Sequence, residues 1–138
     1  MNKAIFLDRD GTINEEVNYL KRPEDIKIIP NTFQALQLFK SLGFLNIIIT
    51  NQSGVARGFI SEDELNKIHS ELILQLKEKN RNLIDDIFFS PFHPEGTIKK
   101  YAIDSEDRKP AIGLICKAQS QHNIDIKESF FRELLCSH

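Results

Sequence analysis

Two aspartates separated by a single residue follow the first apolar segment of the chain. The stretch AIFLDRDGTIN covers residues 4 to 14, so Asp8 and Asp10 come directly after the apolar run and Gly11 lies behind them. Carboxylates are ionised at neutral pH in water, so Asp8 needs no partner base to attack phosphorus and form an aspartyl phosphate. Asp10 reaches the same site if the chain stays extended; there it would protonate the leaving oxygen and later accept a proton from the attacking water. The pair predicts phosphoryl transfer.

This chemistry also needs positive charge and hydrogen-bond donors, which other segments supply. Two carboxylates repel a phosphate dianion, so a cation is required, and hard oxygen ligands together with phosphate favour Mg²⁺. Thr50 ends a second apolar run, and Asn51 after it carries an amide. Lys109 is positive, and Pro110 is typical of the first turn of a helix, whose free N–H groups favour an anion. These residues are candidates for holding the phosphoryl group.

Alternating strands and helices are predicted to position these side chains. Apolar runs indicate strands over residues 4–8, 44–50, 85–90 and, as the start of a fourth, 128–131. Helical spacing and end signals indicate helices between Asn31 and Gly43, from the capping box of Ser61 and Glu64 to Leu76, and over 109–122. This order predicts right-handed β-α-β units and an α/β fold with a Rossmann-like parallel sheet and helices on both faces. Ligands bind such sheets beyond the carboxyl ends of the strands, where Asp8, Asp10 and Thr50 are expected.

The size and charge of the chain exclude several classes of protein. With 138 residues it is long enough for one domain, predicted over 1–138, and a net charge of −2 argues against binding nucleic acid or an anionic membrane. No apolar run reaches the length of a signal-peptide core or a membrane span. The two cysteines follow no disulfide or metal pattern, which favours a reduced, cytoplasmic protein. A monomer is expected.

Three motifs together carry a resemblance to a known family. DRDGTIN, then TNQSGVARG, then RKP resemble the haloacid dehalogenase superfamily of phosphatases, and within it the branch of heptose-bisphosphate and histidinol-phosphate phosphatases. The resemblance runs from about residue 3 to residue 131. It implies a capless phosphatase that needs Mg²⁺ and removes the 7-phosphate of D-glycero-D-manno-heptose 1,7-bisphosphate in bacterial lipopolysaccharide precursor synthesis. Histidinol phosphate is the alternative substrate.

The resemblance also implies a role for each matched residue. Asp8 would be the nucleophile and a Mg²⁺ ligand, and Asp10 the acid–base, binding the metal through its main-chain carbonyl. Thr50 and Lys109 would steady the transferring phosphoryl group, and Arg108 would help to recognise the sugar phosphate. The remaining positions implied to line the sugar site are Glu16, Val17, Asn18, Tyr19, Asn51, Gln52 and Ser53.

The zinc loop that many members of this branch carry is altered here. The stretches that would hold the four ligands read SPFHP and SEDRKP, so the ligand positions are Ser90, Phe92, Ser105 and Asp107. Neither thiolates nor a tetrahedral Cys/His set is available, so zinc is not expected. The loop is predicted to hold its shape by packing.

The end of the sequence is a second departure. The family's fourth strand should end in Gly-Asp-Lys, whereas this chain reads SFFRELLCSH from residue 129. Leu134 takes the register of the expected aspartate, and Glu133, one residue earlier, would point to the opposite face of a strand. The expectation is a domain altered or truncated after about residue 131 that lacks the family's last strand and helix. Its uncovered sheet edge would invite association, and its activity would be impaired.

Other readings of the residues remain open. A non-catalytic phosphosugar-binding remnant is the alternative from a different class. A two-component receiver domain fits poorly, because its phosphorylated aspartate belongs on a later strand than its acidic pair. A dinucleotide-binding role is not favoured either, because the first strand is not followed by a G-x-G-x-x-G turn. His69 and His122 are expected to be solvated helix residues, and Cys116 a small buried side chain.

Overall fold

The computed structural model describes residues 1–17, 19–105 and 112–132. The strands are β1 (Lys3–Leu7), β2 (Phe44–Asn51), β3 (Lys77–Glu78), β4 (Arg81–Asn82), β5 (Asp86–Ser90) and β6 (Phe130–Arg132). The helices are α1 (Thr32–Ser41), α2 (Glu62–Gln75) and α3 (Gly113–His122). Short 3₁₀ turns lie at Pro23–Asp25, Lys99–Tyr101 and Ile126–Glu128.

The central sheet of the described residues is parallel and four-stranded. Its order is β5-β2-β1-β6, and β1 pairs with β2 so that Ile5 lies opposite Asn46. The chain therefore moves outward from β1 to β2 and β5, then crosses to the other side of β1 with β6. β3 and β4 form a separate antiparallel hairpin.

Two apolar clusters cover the two faces of the sheet. Alternate residues of β1 point to opposite faces, so Ile5 and Leu7 join one cluster while Ala4 and Phe6 join the other. The first cluster includes Leu36 of α1 and the buried stripe of α2, and the second includes Leu114 and Ala118 of α3. The prediction of a parallel α/β sheet with helices on both faces is confirmed.

The predicted elements are found with small shifts at their ends. β1 begins and ends one residue earlier than predicted, which leaves Asp8 just beyond the strand. α2 begins with the predicted capping box, in which Ser61 Oγ accepts from the Glu64 N–H at 3.1 Å and Glu64 accepts from the Ser61 N–H at 3.0 Å. The β3–β4 hairpin was not predicted, because its four residues are polar and carry no apolar alternation.

Some expectations about the second half of the chain fall outside the described residues. The described part of α3 begins at Gly113, and the predicted start at Lys109 lies outside the described residues. The expectations for Glu133 and Leu134 also fall outside them. At the β6 side of the sheet, Phe130 and Phe131 are 62% and 52% exposed. Association through this edge stays a prediction.

Among the described residues, the structure contains no helix with the length and apolar character that crossing a membrane requires.

Candidate active site

The carboxyl ends of three parallel strands meet at one edge of the sheet. Asp8 follows β1, Thr50 and Asn51 end β2, and Ser90 ends β5 opposite Asn51. β2 is a run of β-branched residues buried on both faces, which fixes its direction and brings Thr50, itself buried, to this edge. The predicted positions of Asp8 and Thr50 in the fold are therefore the observed ones.

A tight turn after β1 arranges the two aspartates. The carbonyl of Arg9 accepts from the N–H groups of Thr12, Ile13 and Asn14 at 3.2, 2.8 and 3.2 Å. Gly11 within this turn has a φ of +82°, a left-handed conformation that glycine adopts without strain. The Arg9 N–H donates to Asp8 Oδ1 at 2.9 Å. The main chain of Arg9 is thus fixed between the first carboxylate and the turn.

The carboxylate of Asp10 is surrounded by hydrogen-bond donors. Arg9 Nε and Nη2 donate to Oδ1 at 3.1 and 2.9 Å, and Nη2 also lies 3.1 Å from Oδ2. Asn14 Nδ2 donates to Oδ1 at 3.0 Å, and Gln52 Nε2 donates to Oδ2 at 3.2 Å. The Asp10 side chain remains 30% exposed, so it is held in one orientation while still open to a ligand.

Gln52 connects this carboxylate to the second strand. Its Nε2 group also donates to Thr50 Oγ1 at 2.9 Å, so one amide bridges Asp10 and Thr50. The structure therefore places Asp10, Thr50 and Gln52 in one hydrogen-bonded group. Gln52 was predicted to line the sugar site, and its contacts here are with the other candidate residues.

His69 of α2 lies beneath this group, and the expectation that it is solvated is wrong. It is 6% exposed, and its Nε2 lies 3.0 Å from Nη1 of Arg9. A guanidinium can only donate, so Nε2 is the unprotonated nitrogen and accepts. Burial, followed by the nearby guanidinium, lowers the pKa of His69 to about 3. The imidazole is therefore neutral at physiological pH.

A signal for this histidine was present in the sequence. His69 follows Leu65 by four residues and precedes Leu72 by three, so it lies on the buried stripe of α2. The role of Arg9 had no comparable signal, because an arginine after a strand is exposed in most proteins.

The outer rim brings together two of the predicted substrate segments. The ring of Tyr19 lies against Gly54, directly after Ser53, with its Cδ1 only 3.1 Å from where a Cβ of Gly54 would stand. Tyr19 also packs against Phe59, with 4.7 Å between ring centroids. Phe59 was not predicted, and half of its surface is open to solvent. Glu16 and Val17, predicted in the same substrate segment as Tyr19, are exposed.

Three predicted site residues, Asn18, Arg108 and Lys109, lie outside the described residues. Their roles stay predictions. The same holds for Asp107, one of the four positions that replace the zinc ligands.

The loop that follows β5 is attached to the TNQSGVARG segment by close packing. The N–H of Ile98 donates to the carbonyl of Ala56 at 2.8 Å, and a Cβ on Gly96 would lie 2.7 Å from the Cβ of Ala56. Ser90 is buried, and the ring of Phe92 packs near that of Tyr101. Glu95 donates its N–H to Nδ1 of His93 at 3.0 Å. The described residues of this loop therefore make ordinary contacts within the protein.

Two further expectations about α3 are settled by the structure. Cys116 is exposed rather than buried, because it lies on the opposite side of α3 from Leu114 and Ala118. His122 is partly exposed, and its Nε2 lies 2.7 Å from Oδ2 of Asp86 at the start of β5.

The oxygen donors at the strand ends suit Mg²⁺ chemically. Asp8 and Asp10, which lie just beyond the end of β1, both offer oxygen donors. Within the described ranges, no group of three or more His, Cys, Asp and Glu side chains is arranged to hold a metal. Mg²⁺ commonly binds through one or two protein oxygens together with substrate phosphate and water, so this donor set fits it.

Known phosphatases match most of this sequence. No family model matches the chain. It is 42% identical over 127 residues to D-glycero-alpha-D-manno-heptose-1,7-bisphosphate 7-phosphatase of Photorhabdus laumondii, covering 92% of this chain and 69% of that protein. It is 39% identical over 130 residues to D-glycero-beta-D-manno-heptose-1,7-bisphosphate 7-phosphatase of Pasteurella multocida, covering 94% of this chain and 70% of that protein.

Solved structures agree with these relatives. A HAD-like phosphatase from Mesorhizobium loti superposes with a TM-score of 0.87 at 30% identity, covering 94% of this chain and 62% of that one. D,D-heptose 1,7-bisphosphate phosphatase from B. bronchiseptica, complexed with magnesium and phosphate, gives 0.75 at 29% identity, covering 90% and 65%. The chain thus spans less than two thirds of either solved structure. On the shared sequence and fold, it belongs to the D-glycero-manno-heptose-1,7-bisphosphate 7-phosphatase family of HAD-like phosphatases.

Proposed function

We propose that this chain is a Mg²⁺-dependent phosphatase that removes the 7-phosphate of D-glycero-D-manno-heptose 1,7-bisphosphate through an aspartyl phosphate. The observation that carries the proposal is the hydrogen-bonded group of Asp10, Gln52 and Thr50 beside Asp8, at the carboxyl edge of the sheet. Family membership supplies the substrate class. The proposal includes a single capless domain and a place in cytoplasmic heptose and lipopolysaccharide precursor synthesis.

The residues divide the reaction into two steps. In the first, an oxygen of Asp8 attacks phosphorus while the bond to the sugar oxygen breaks, and that oxygen takes the proton of Asp10. In the second, Asp10 accepts a proton from water as the water oxygen attacks phosphorus, which releases inorganic phosphate and regenerates Asp8. Acid–base help of this kind accelerates a reaction by roughly 100- to 10,000-fold. Bound Mg²⁺, held by Asp8 and the Asp10 carbonyl, would neutralise phosphate charge.

Other candidate residues would hold and select the substrate. The buried Thr50 hydroxyl is held near Asp10 by Gln52 and suits a phosphoryl oxygen. Lys109 would add positive charge and Arg108 would bind the far end of the substrate. The rim of Glu16, Val17 and Tyr19 would contact the sugar, together with Asn51 and Ser53.

Phosphate release from candidate substrates tests the proposal. The α and β anomers of the heptose bisphosphate are both included, because relatives carry both names. Cleavage of the 7-phosphate in preference to the 1-phosphate, followed by ³¹P NMR, is the expected result. A higher kcat/KM on histidinol phosphate would overturn the substrate. Tight binding of the bisphosphate without hydrolysis would identify a phosphosugar-binding module.

Asp8→Asn should reduce phosphate release to the background rate while the fold is retained. An amide is a poor nucleophile, and no other described carboxylate ends β1. Phosphate release measured alongside circular dichroism checks this. Asp86→Asn is the matched control, since Asp86 begins β5 at the opposite edge of the sheet and should leave turnover unchanged. Residual turnover in Asp8→Asn above background would contradict the assignment of the nucleophile.

A further inference from the structure

Arg9, the residue between the two aspartates, contacts both of them. Its main-chain N–H donates to Asp8 Oδ1 at 2.9 Å, and its guanidinium donates to Asp10 at 2.9 to 3.1 Å. The Arg9 side chain is only 1% exposed, although it carries a charged guanidinium. The third donor nitrogen, Nη1, lies against Nε2 of His69 at 3.0 Å.

Burying a guanidinium is costly unless its donors are matched. Each of the three guanidinium nitrogens of Arg9 faces an acceptor. Nε and Nη2 face the Asp10 carboxylate, and Nη1 faces the neutral imidazole of His69 in the middle of α2. A planar guanidinium that is fixed on one side presents its other side in one orientation. The two parallel bonds to Asp10 then restrict the rotation of that carboxylate.

A proton donor for the leaving oxygen must stand at one position and angle when the bond breaks. Asp10 lies beyond the end of β1, and its side chain remains 30% exposed. Asn14 and Gln52 add single bonds from two sides. The bidentate contact from Arg9 is therefore the main restraint on its plane. The guanidinium also stabilises the carboxylate once the proton has moved to the sugar oxygen.

We propose that Arg9, braced by His69, is a positioning residue that holds the Asp10 carboxylate ready to protonate the leaving oxygen. The inference rests on the proposed function and deepens it, because it assigns a kinetic role to two residues beneath the site. It connects α2 to the chemistry at the end of β1.

The test compares two substrates that differ in their need for a proton. A sugar phosphate leaves as an alkoxide and needs the proton of Asp10, whereas p-nitrophenyl phosphate leaves as a stable phenolate. The value of kcat/KM reports steps up to the first phosphoryl transfer, so it isolates this difference from the later hydrolysis. A variant that merely unfolds part of the protein lowers both values by the same factor.

Arg9→Met keeps the length of the side chain and removes its donors. We expect kcat/KM on the sugar phosphate to fall at least about 100-fold, the lower end of what acid–base help supplies, and that on p-nitrophenyl phosphate by no more than about threefold. Arg22→Met is the matched control, because Arg22 binds Asp25 at the exposed surface. It should leave both values unchanged.

A pair of variants tests the brace separately. His69→Gln retains an acceptor within reach of Nη1, whereas His69→Leu removes it. We expect the ratio of the two kcat/KM values to stay near wild type in His69→Gln and to fall in His69→Leu. The side-chain N–H signals of Arg9 in NMR give a readout without turnover: slow exchange with solvent in the wild type and in His69→Gln, and faster exchange in His69→Leu.

The outcomes separate the two proposals. A wild-type chain that hydrolyses both substrates, with a ratio unchanged in Arg9→Met and His69→Leu, would overturn the positioning role and leave the phosphatase assignment intact. Equal losses on both substrates would do the same. A wild type that hydrolyses neither substrate would overturn the proposed function, and the positioning role with it.

Discussion

At the scale of single residues, His69 connects the candidate site to the response of the chain to acid. Burial, with a contribution from Arg9, lowers its pKa from 6.5 to about 3. The unfolded chain therefore binds a proton at a pH where the folded chain does not. The free energy of unfolding should decrease as pH falls from about 6.5 towards 3, by about 1.4 kcal/mol per pH unit from this residue.

His69→Gln should remove that contribution, since glutamine does not titrate. Urea unfolding at about pH 7 and about pH 4.5 checks this, and the wild type should lose roughly 2 to 3 kcal/mol more than the variant between the two pH values. Other groups titrate alike in both proteins, so they cancel in the comparison. Parallel losses of stability in the two proteins would contradict the buried, neutral imidazole.

The same pair of residues shows which parts of the site a sequence can predict. Asp8 and Thr50 were located because polar residues that stop apolar runs mark strand ends. Arg9 and His69 were not, because their burial depends on two segments sixty positions apart meeting in the fold. A residue pattern records local periodicity, whereas a buried ion and its partner are determined by tertiary packing.

At the scale of elements, packing contacts hold the loop from residue 91 to 105 against the TNQSGVARG segment. Gly96 lies so close to Ala56 that an added Cβ would stand 2.8 Å from the Ala56 carbonyl oxygen. Gly96→Ala should therefore force the loop away from the TNQSGVARG segment and destabilise the fold by about 1–3 kcal/mol, as overpacking does. Denaturant unfolding measures this.

Glu95→Ala is the matched control for that change, because Glu95 is exposed and already has a Cβ. It should change stability by less than about 0.5 kcal/mol. Elemental analysis of protein purified without chelators belongs with the same experiment. About one zinc per chain, together with a mild effect of Gly96→Ala, would contradict a loop held by packing.

Strand and helix identities were predictable where a pattern ran for a full element. The β-branched run of β2 and the capping box of α2 each carry a local cause of their structure. The β3–β4 hairpin lacks one, since two residues per strand are too few to show a period. A two-residue turn of Lys79 and Asn80 joins its strands, and Lys79 has a positive φ of 53° there.

At the scale of the whole molecule, the catalytic candidates lie at one edge of a sheet whose two faces are packed separately. The cluster with α1 and α2 and the cluster with α3 share β1 and β2 between them. A ligand bound at the strand ends therefore contacts elements from the center of the fold. Such a ligand stabilises the folded chain by mass action, by about 2.7 kcal/mol at a concentration 100 times its Kd.

Mg²⁺ and inorganic phosphate together should raise Tm more than the sum of their separate effects. Phosphate alone is repelled by Asp8, and Mg²⁺ alone has few protein oxygens to bind, so each ligand needs the other. Differential scanning calorimetry with neither, either and both ligands measures this. In Asp8→Asn, phosphate no longer meets a carboxylate, and the Mg²⁺-dependent part of the rise should disappear. Asp86→Asn should retain it, because Asp86 pairs with His122 at the opposite edge. A synergistic rise of equal size in wild type and Asp8→Asn would place the cation away from Asp8 and contradict the proposed site.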